Sequence, residues 1–278
     1  MSTVNITAQD INKLRQATGA GMMDCRKALT ETNGDFEAAI DWLRKQGQKV
    51  AAKRSDREAK EGVVIAQTSA DGTTGFVVCI SCETDFVSKN ADFVAFAQSI
   101  ADAAVANNVK SVDELNEVVV NGAKVADLIN DKLAAIGEKI GISKFERVEA
   151  PYVASYIHGA NRMGVLVGLD KEAADAGKDV AMQIAAMNPL AVDANSIPAE
   201  TIERERAIVV DTMKADPKMA GKPDDMIAKI AEGKMNAFFK EQTLLAQAFV
   251  KDGSKSVADY LKGAGDVKVT SFKRVALG

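Results

Sequence analysis

The residues best suited to chemistry are few: three cysteines, Cys25, Cys79 and Cys82, and one histidine, His158. Cys79 and Cys82 form a C-x-x-C pair, a spacing found in redox centres and zinc sites. The pair ends an apolar run that begins at residue 75 and is typical of a strand. Residues three apart in a strand point to opposite faces, so we expect the two thiols to be separated and structural.

His158 has no second histidine as a partner, which excludes every mechanism that needs two. It is either a structural side chain or, because it lies beside Gly159 at a predicted hairpin tip, a contact for another molecule. The stretch 19–24 (GAGMMD) fails the G-x-G-x-x-G pattern at Asp24, and no G-x-x-x-x-G-K-[ST] loop is present. We therefore expect no His-based zinc site and neither of the two common phosphate-binding loops.

Composition narrows the class of protein. The 278 residues are 47% hydrophobic and 27% charged, with 35 basic and 39 acidic side chains and a net charge of -4. A nucleic-acid binder usually has a basic excess, so we expect no direct nucleic-acid contact. No secretory signal and no apolar run of about 20 residues is recognisable, so we expect no membrane contact. The sparse, odd number of cysteines fits the reducing cytoplasm.

An acidic residue and an aromatic residue lie side by side in a predicted strand-to-helix connector. In the stretch 82–90, CETDFVSKN, Asp85 is followed by Phe86 and Val87, and an amphipathic helix is predicted from Ala91. Connectors are usually polar. Either Phe86 folds under its own connector, or it is exposed for a partner.

Two methionines raise a similar question. Met22 and Met23 follow the glycine-rich break at 18–21, TGAG. Adjacent helical residues cannot both face the same neighbour, so we expect one methionine in the core and one exposed. The exposed side chain is either incidental or part of an adaptable binding surface, for which methionine is well suited.

Hydrophobic periodicity predicts three short helices within residues 1–47. Thr7 and Asp10 have the spacing of a capping box at the first helix. Gly47 is expected to end the third helix. The basic segment 48–60 is expected to be a solvated linker, either irregular or partly helical.

The rest of the chain contains a repeated pattern. GFVVCI at 75–80 resembles GVLVGL at 164–169, and ISKFERV at 142–148 resembles VTSFKRV at 269–275. Each pair follows the order of a hairpin, a helix and a closing strand. The matches are short, so true duplication of an α/β unit stays one of two interpretations.

Residues 196–240 interrupt the second unit with two predicted helices joined by a short turn, which indicates an antiparallel hairpin. The hairpin either folds onto its own domain or protrudes to bind a second chain. The fold class is therefore α+β. Its segments are a three-helix module (1–47), a basic linker (48–60), a first core subdomain (61–150), a second core subdomain (151–195 and 241–278) and the inserted hairpin (196–240).

Four segments resemble, in the same order, bacterial translation elongation factor Ts: 13–47, 84–90 (TDFVSKN), 155–169 and 247–262. Together they extend over almost the whole chain. The resemblance implies a module of the ubiquitin-associated type, a two-part α/β core and an inserted hairpin that mediates self-association in some members. It also implies a guanine-nucleotide exchange factor for elongation factor Tu, which performs no covalent chemistry.

The resemblance assigns roles to particular residues. It implies that Asp85 and Phe86, flanked by Thr84 and Val87, enter the partner's G domain near its magnesium and phosphate site. No cofactor of its own is implied, because the chain acts on Mg-GDP held by elongation factor Tu. A homodimer through the 196–240 hairpin is also implied. Further partner-facing positions are Arg15, Met22, Met23, Arg26, His158, Val250 and Lys251.

Two alternatives remain from the residues alone. The helical module at 1–47 would also suit a ubiquitin-associated-like adaptor that binds another protein. A thiol oxidoreductase would use Cys79 and Cys82. The first alternative leaves the stretch 84–87 without a role, and the second predicts that both cysteines are needed for activity.

Overall fold

The structure is a computed structural model that describes residues 5–219 and 222–278. Residues 1–4 of the predicted module and residues 220–221 of the predicted hairpin turn lie outside the described residues. The helices are α1 (Ala8–Thr18), α2 (Met22–Glu31), α3 (Phe36–Lys53), α4 (Asp85–Ser88), α5 (Ala91–Ala106), α6 (Val112–Glu117), α7 (Val125–Ile136), α8 (Ala174–Met187), α9 (Ala199–Ala215), α10 (Asp224–Gln242) and α11 (Val257–Gly263).

The sheets are small and antiparallel, which confirms the α+β class. In the described ranges, no helix combines the length and the apolar character needed to cross a membrane. The strands are β1 (Glu61–Thr68), β2 (Thr74–Cys82), β3 (Val119–Val120), β4 (Ala123–Lys124), β5 (Gly141–Glu149), β6 (Tyr152–His158), β7 (Met163–Leu169), β8 (Ala248–Phe249), β9 (Asp252–Ser256) and β10 (Val269–Ala276).

The first three helices share a small core of their own. Its larger buried members are Leu14, Leu29 and Leu43, one from each helix. The predicted capping box is confirmed: Thr7 accepts from the Asp10 backbone, and the Asp10 carboxylate accepts from Thr7. The periodicity therefore located these helices correctly.

The predicted end of the third helix at Gly47 is wrong. Helix α3 continues to Lys53, so the first part of the expected linker at 48–60 is helical. A Cβ atom at Gly47 would lie 2.7 Å from the Ala134 Cβ atom, so glycine allows α3 to approach α7 closely. Val50, beyond the glycine, packs against the buried cluster that contains Val78 of β2 and Ile100 of α5. Tertiary contact thus extends a helix that the glycine was expected to end.

The two main sheets have the same arrangement of strands. In the first, β2 lies between its hairpin partner β1 and the later strand β5. In the second, β7 lies between its hairpin partner β6 and the later strand β10. Helix α5 follows β2 and packs on the first sheet, and helix α8 follows β7 and packs on the second.

The two sheets also pack against each other. Side chains alternate along β2, so Val78 faces the helical layer while Val77 and Cys79 join a cluster shared with Leu166 of the second sheet. Gly75 lies on the same face, and a Cβ atom there would lie 2.6 Å from Val153 Cγ1.

Gly164 is the counterpart of Gly75 in the second sheet. A Cβ atom at Gly164 would lie 2.9 Å from Val64 Cγ1 of the first sheet. Both glycines therefore let the sheets approach closely at positions where a methyl group does not fit.

The inserted hairpin differs slightly from the prediction. Ser196 belongs to a short 3-10 turn, and α9 starts at Ala199, directly after Pro198. Proline suits the start of a helix because it has no N–H to leave unsatisfied. Helices α9 and α10 pack on each other, and their buried residues are Met213, Ala231 and Met235.

Candidate partner-docking surface

The connector that follows β2 is a helical turn rather than an irregular loop. Residues 85–88 form α4, and Asn90 then caps α5 by accepting from the backbone of Asp92 and Phe93. We call residues 84–87 the wedge turn. Its backbone is held between the end of a buried strand and the start of a long helix, so its side chains have fixed directions.

Phe86 is the most exposed large apolar side chain of the described residues, at 86% of its full accessibility. It therefore does not fold under its own connector, and that interpretation is wrong. An exposed phenylalanine adds little to the stability of its own fold, because only removal of apolar surface from water is favourable.

Asp85 lies next to Phe86 and is only partly exposed. Lys89 lies one helical turn after Asp85, and its Nζ atom donates to Asp85 Oδ2 at 2.7 Å. This hydrogen bond and the charge of Lys89 lower the pKa of the Asp85 carboxyl group. Asp85 is therefore anionic at neutral pH and oriented by a neighbouring cation.

The two flanking residues of the wedge turn hold it in place. Val87 packs inward against the core cluster under α5. Thr84 donates its hydroxyl to Glu138 Oε1 at 2.6 Å. Asp85 and Phe86 are thus presented outward by two residues that are bound to the body of the protein.

A cleft of about 630 Å³ lies beside the wedge turn. Phe86 and Val87 form part of one wall, and residues 16–19 at the end of α1 form part of another. The C-terminal part of α7, including Ala135 and Ile136, completes the lining together with α5. The structure therefore brings the helical module and the wedge turn to a single surface.

Met22 and Met23 follow directly after residues 16–19 and begin α2. Both are exposed, at 51% and 74%, so the expectation that one lies in the core is wrong. The buried face of α2 is occupied by Cys25, Ala28 and Leu29 instead. Arg15 and Arg26 are also exposed, on α1 and α2.

His158 is the last residue of β6 and is exposed. Its Nδ1 atom lies 3.0 Å from the Tyr156 hydroxyl group, and the two rings are 5.9 Å apart. In the same hairpin, Arg162 pairs with Glu61, which lies opposite Cys82 in the first sheet. The hairpin tip is therefore at the end of the first sheet from which the wedge turn emerges.

Val250 and Lys251 form the turn between β8 and β9, which α8 supports. The Val250 N–H donates to the Oε1 atom of buried Gln183 at 2.8 Å, and its side chain is 46% exposed. Lys251 Nζ lies 2.5 Å from Asp179 Oδ1. The same carboxylate accepts from the Tyr260 hydroxyl, whose pKa burial and Asp179 raise to about 12. Val250 is free for contact, whereas Lys251 is engaged within the chain.

Neither cysteine of the C-x-x-C pair is arranged for redox chemistry. Cys79 lies in the cluster between the sheets and Cys82 in the cluster under α5, as strand geometry predicts. Burial raises the pKa of Cys79 and raises that of Cys82 to about 12. Both stay protonated at neutral pH, and the thiolate is the reactive form. Within the described ranges, no cluster of three or more His, Cys, Asp or Glu could hold a metal ion.

Comparison with known proteins decides the family. The family model described as "Elongation factor TS" matches residues 83–278. The chain is 49% identical over 277 residues to "Elongation factor Ts" of Christiangramia forsetii, with 98% of this chain and 99% of that protein covered. It is 46% identical over 283 residues to "Elongation factor Ts" of Cytophaga hutchinsonii, with both chains covered fully.

The chain belongs to the elongation factor Ts family. It is therefore a member of a family of translation elongation factors that act in protein biosynthesis. Similarity extends to the helical module as well, because "Elongation factor Ts" of Flavobacterium psychrophilum is 47% identical over 98% of this chain.

The residues that support the surface were missed from the sequence. Glu138 lies 54 positions from Thr84, and Gln183 lies 67 positions from Val250. Neither belongs to a segment in which the resemblance to elongation factor Ts was recognised. One local signal is Gly137, a glycine directly before Glu138 that has the left-handed backbone typical of a helix end and caps α7.

Proposed function

We propose that the chain binds elongation factor Tu and promotes the release of GDP from it, so that GTP can be loaded. In this proposal Asp85 and Phe86 insert near the magnesium and phosphate site of the partner. The observation that carries it is the 86% exposure of Phe86 on a turn held by Thr84 and Val87.

The exposed ring supplies binding free energy that the free chain does not use. Full burial of a phenylalanine side chain is worth about 1.5–3 kcal/mol. Because the turn is already ordered, little of that free energy is lost in fixing its conformation on binding. A pre-ordered aromatic side chain beside an anionic carboxylate therefore suits insertion between groups that hold a metal ion and phosphates.

Weaker binding of the nucleotide to the partner follows from the coordination chemistry of magnesium. Mg²⁺ requires nearly ideal octahedral coordination, so small displacements of its protein ligands weaken its binding. Binding of the exchange factor and binding of nucleotide then oppose each other by the same factor. No bond is made or broken, so we propose no catalytic acid, base, nucleophile or cofactor in this chain.

The helical module supplies a second contact in this proposal. We propose that α1 and α2, as a module of the ubiquitin-associated type, dock on the partner through Met22 and Met23 together with Arg15 and Arg26. Both methionines are exposed, and the end of α1 lines the same cleft as Phe86. His158 and Val250 would extend the contact from the second subdomain.

Homodimerisation through the hairpin at 196–240 stays a prediction. Ile208 of α9 and Met226 of α10 are exposed apolar side chains that a second copy would cover. Sedimentation of the chain at increasing concentration tests this prediction. Replacement of both residues with serine should lower the fraction of dimer without lowering exchange activity.

The exchange proposal is tested by release of a fluorescent GDP analogue from elongation factor Tu. The chain is added in substoichiometric amount with an excess of unlabelled GDP. We expect release well above the spontaneous rate, with each copy of the chain acting on many copies of the partner. An unchanged rate with folded chain would overturn the proposal and favour the ubiquitin-associated-like adaptor, which a binding assay on other proteins would then test.

A further inference from the structure

The wedge turn is fixed by a carboxylate from a distant part of the chain. Thr84 precedes α4 but its side chain makes no capping bond to that helix. Instead, Glu138 Oε2 accepts from the backbone N–H groups of Glu83 at 3.1 Å and Thr84 at 3.0 Å. Glu138 Oε1 accepts from the Thr84 hydroxyl at 2.6 Å. One side chain thus binds three donors immediately before Asp85.

Such support is needed because the helix is very short. A single helical turn is unfavourable by itself, since several backbone angles are fixed for one hydrogen bond. Hydrogen bonds to a carboxylate are stronger than hydrogen bonds between two neutral groups, and Glu138 accepts three of them. Glu138 therefore holds the backbone from which the turn begins, while Val87 anchors its other side in the core.

A second carboxylate joins this support to the basic segment before β1. Glu83 accepts from Arg54 at 2.7 Å and from Arg57 at 3.1 Å, and it also accepts from the Lys139 N–H at 2.6 Å. Lys139 Nζ in turn donates to the Ser55 carbonyl at 2.5 Å and to the Arg57 carbonyl at 2.9 Å. The segment that follows α3 is thus tied to the residue that precedes the wedge turn.

We propose that Glu138 is a positioning residue for nucleotide exchange, which presents Asp85 and Phe86 in the orientation that enters the partner. The inference rests on the exchange function proposed above. Glu138 acts through Thr84 and does not itself touch the nucleotide. Glu83 connects the same support to the segment leading from the helical module, so the module and the wedge turn keep a fixed relation.

The proposal predicts which kinetic quantity changes. Loss of Glu138 leaves Met22, Met23 and the helical module intact, so the concentration of chain that gives half-maximal release should change little. The maximal release rate at saturating chain should fall, because Phe86 then samples orientations that do not displace partner groups.

The experiment compares Glu138→Ala and Glu138→Gln with a control, Glu172→Ala. Glu172 is an exposed glutamate in the connector before α8. We expect Glu138→Ala to lower the maximal rate of GDP release roughly tenfold, as for loss of a charge-assisted hydrogen bond. Glu138→Gln should give an intermediate rate because its amide oxygen still accepts, and the control should match the unchanged chain.

A double substitution distinguishes positioning from general destabilisation. If Glu138 acts through the wedge turn, Glu138→Ala should change the rate less than about twofold in a Phe86→Ala background, because coupled residues are not additive. Hydrogen exchange of the backbone at 83–90 should increase in Glu138→Ala, while that of α7 stays unchanged. Independent, additive effects of the two substitutions would overturn the proposal.

A further variant keeps the test decisive if Glu138→Ala does not fold. Thr84→Val removes only the hydroxyl that donates to Glu138 and preserves the shape of the side chain. It should lower the maximal rate with an unchanged unfolding temperature. Unchanged rates for both Thr84→Val and Glu138→Gln would overturn the inference. Failure of the unchanged chain to accelerate release would instead overturn the exchange function itself.

Discussion

The two sheet units of this protein have the same plan but different connectors. In each, the second strand of a hairpin is central, a helix follows it, and a later strand completes the sheet. In each, the residue after the central strand accepts from a lysine N–H before the last strand: Glu83 from Lys139 at 2.6 Å, and Asp170 from Lys268 at 2.8 Å. The shared contacts maintain the scaffold.

The connectors diverge beyond that residue. The first, residues 83–90, inserts a helical turn that exposes Phe86. The second, residues 170–173, runs directly into α8, and Lys171 donates to the Gly265 carbonyl within its own unit. The exchange function proposed above thus assigns the partner contact to a connector between equivalent elements, where the chain can change without disturbing the core.

Phe86→Ala should have the largest effect, because it removes the feature that distinguishes the connectors. We expect GDP release from elongation factor Tu to slow at least about 30-fold, the factor for a hot-spot loss of about 2 kcal/mol. The unfolding temperature should not change, because the ring is 86% exposed. Stopped-flow release and thermal unfolding measure both quantities.

Val119→Ala provides the matched control for that substitution. Val119 is 62% exposed on β3, outside both main sheets. Elongation factor Tu should release GDP equally fast with the Val119→Ala variant and with the unchanged chain. A loss of folding in Phe86→Ala would show that the ring supports its own core, and the two connectors would then differ in structure rather than in function.

Substitution of the paired glycines tests whether the two units are equivalent. Gly75→Ala and Gly164→Ala should each lower the free energy of unfolding by about 1–3 kcal/mol, as expected for overpacking. The added methyl group would lie 2.6 Å from Val153 Cγ1 in one case and 2.9 Å from Val64 Cγ1 in the other. Urea denaturation measures both values.

Gly253→Ala is the control for the glycines, because a Cβ atom there meets nothing within 4 Å. It should change the free energy of unfolding by less than about 0.5 kcal/mol. If only one of Gly75 and Gly164 were sensitive, the two sheets would not be equivalent in their mutual packing.

Glu83 gives a smaller effect that depends on pH. Its pKa is lowered from 4.5 to about 2, chiefly by the Lys139 N–H and then by Arg54 and Arg57. A lowered pKa in the folded chain gives stability that is present above pH 4.5 and is lost as pH falls towards 2. The chain should therefore be more stable than Glu83→Gln at pH 7, by a margin that shrinks below pH 4.5.

Urea denaturation of both chains between pH 7 and pH 3 measures this margin. A margin that stayed constant over that range would show that the carboxylate of Glu83 is not held by these partners in the folded chain. The support of the first connector would then rest on Glu138 alone.

The cysteines should have the smallest effect on exchange. Cys79→Ala and Cys82→Ala together should leave the rate of GDP release per folded molecule within about twofold, since both thiols are buried and protonated. Stability should fall because buried atoms are removed from the core. Loss of release in a fully folded double variant would revive the thiol oxidoreductase interpretation.

Local signals in the sequence located most elements of the fold. The capping box at Thr7 and the closing strand around residues 142–148 are both present as predicted. These features depend on residues within a few positions of each other, so their spacing in the sequence is enough to predict them. The opposite directions of Cys79 and Cys82 followed in the same way from strand geometry.

The family was also readable from the sequence, because TDFVSKN and the segments around it are specific. The division into related units was suggested by the same means. GFVVCI and GVLVGL mark the two central strands, and their first residues, Gly75 and Gly164, are the paired glycines between the sheets. The sequence could not show that these glycines face each other's sheet, since that depends on how the sheets are stacked.

The way the surface is built depends on contacts between residues that are far apart in the chain. The length of α3 depends on Gly47 fitting against α7, and the exposure of both methionines depends on which residues fill the core of α2. On either side of exposed Phe86, Val87 packs into the core and Thr84 donates to Glu138, which is distant in the chain. Contacts between remote residues form only when the whole chain is packed, so local patterns carry no record of them.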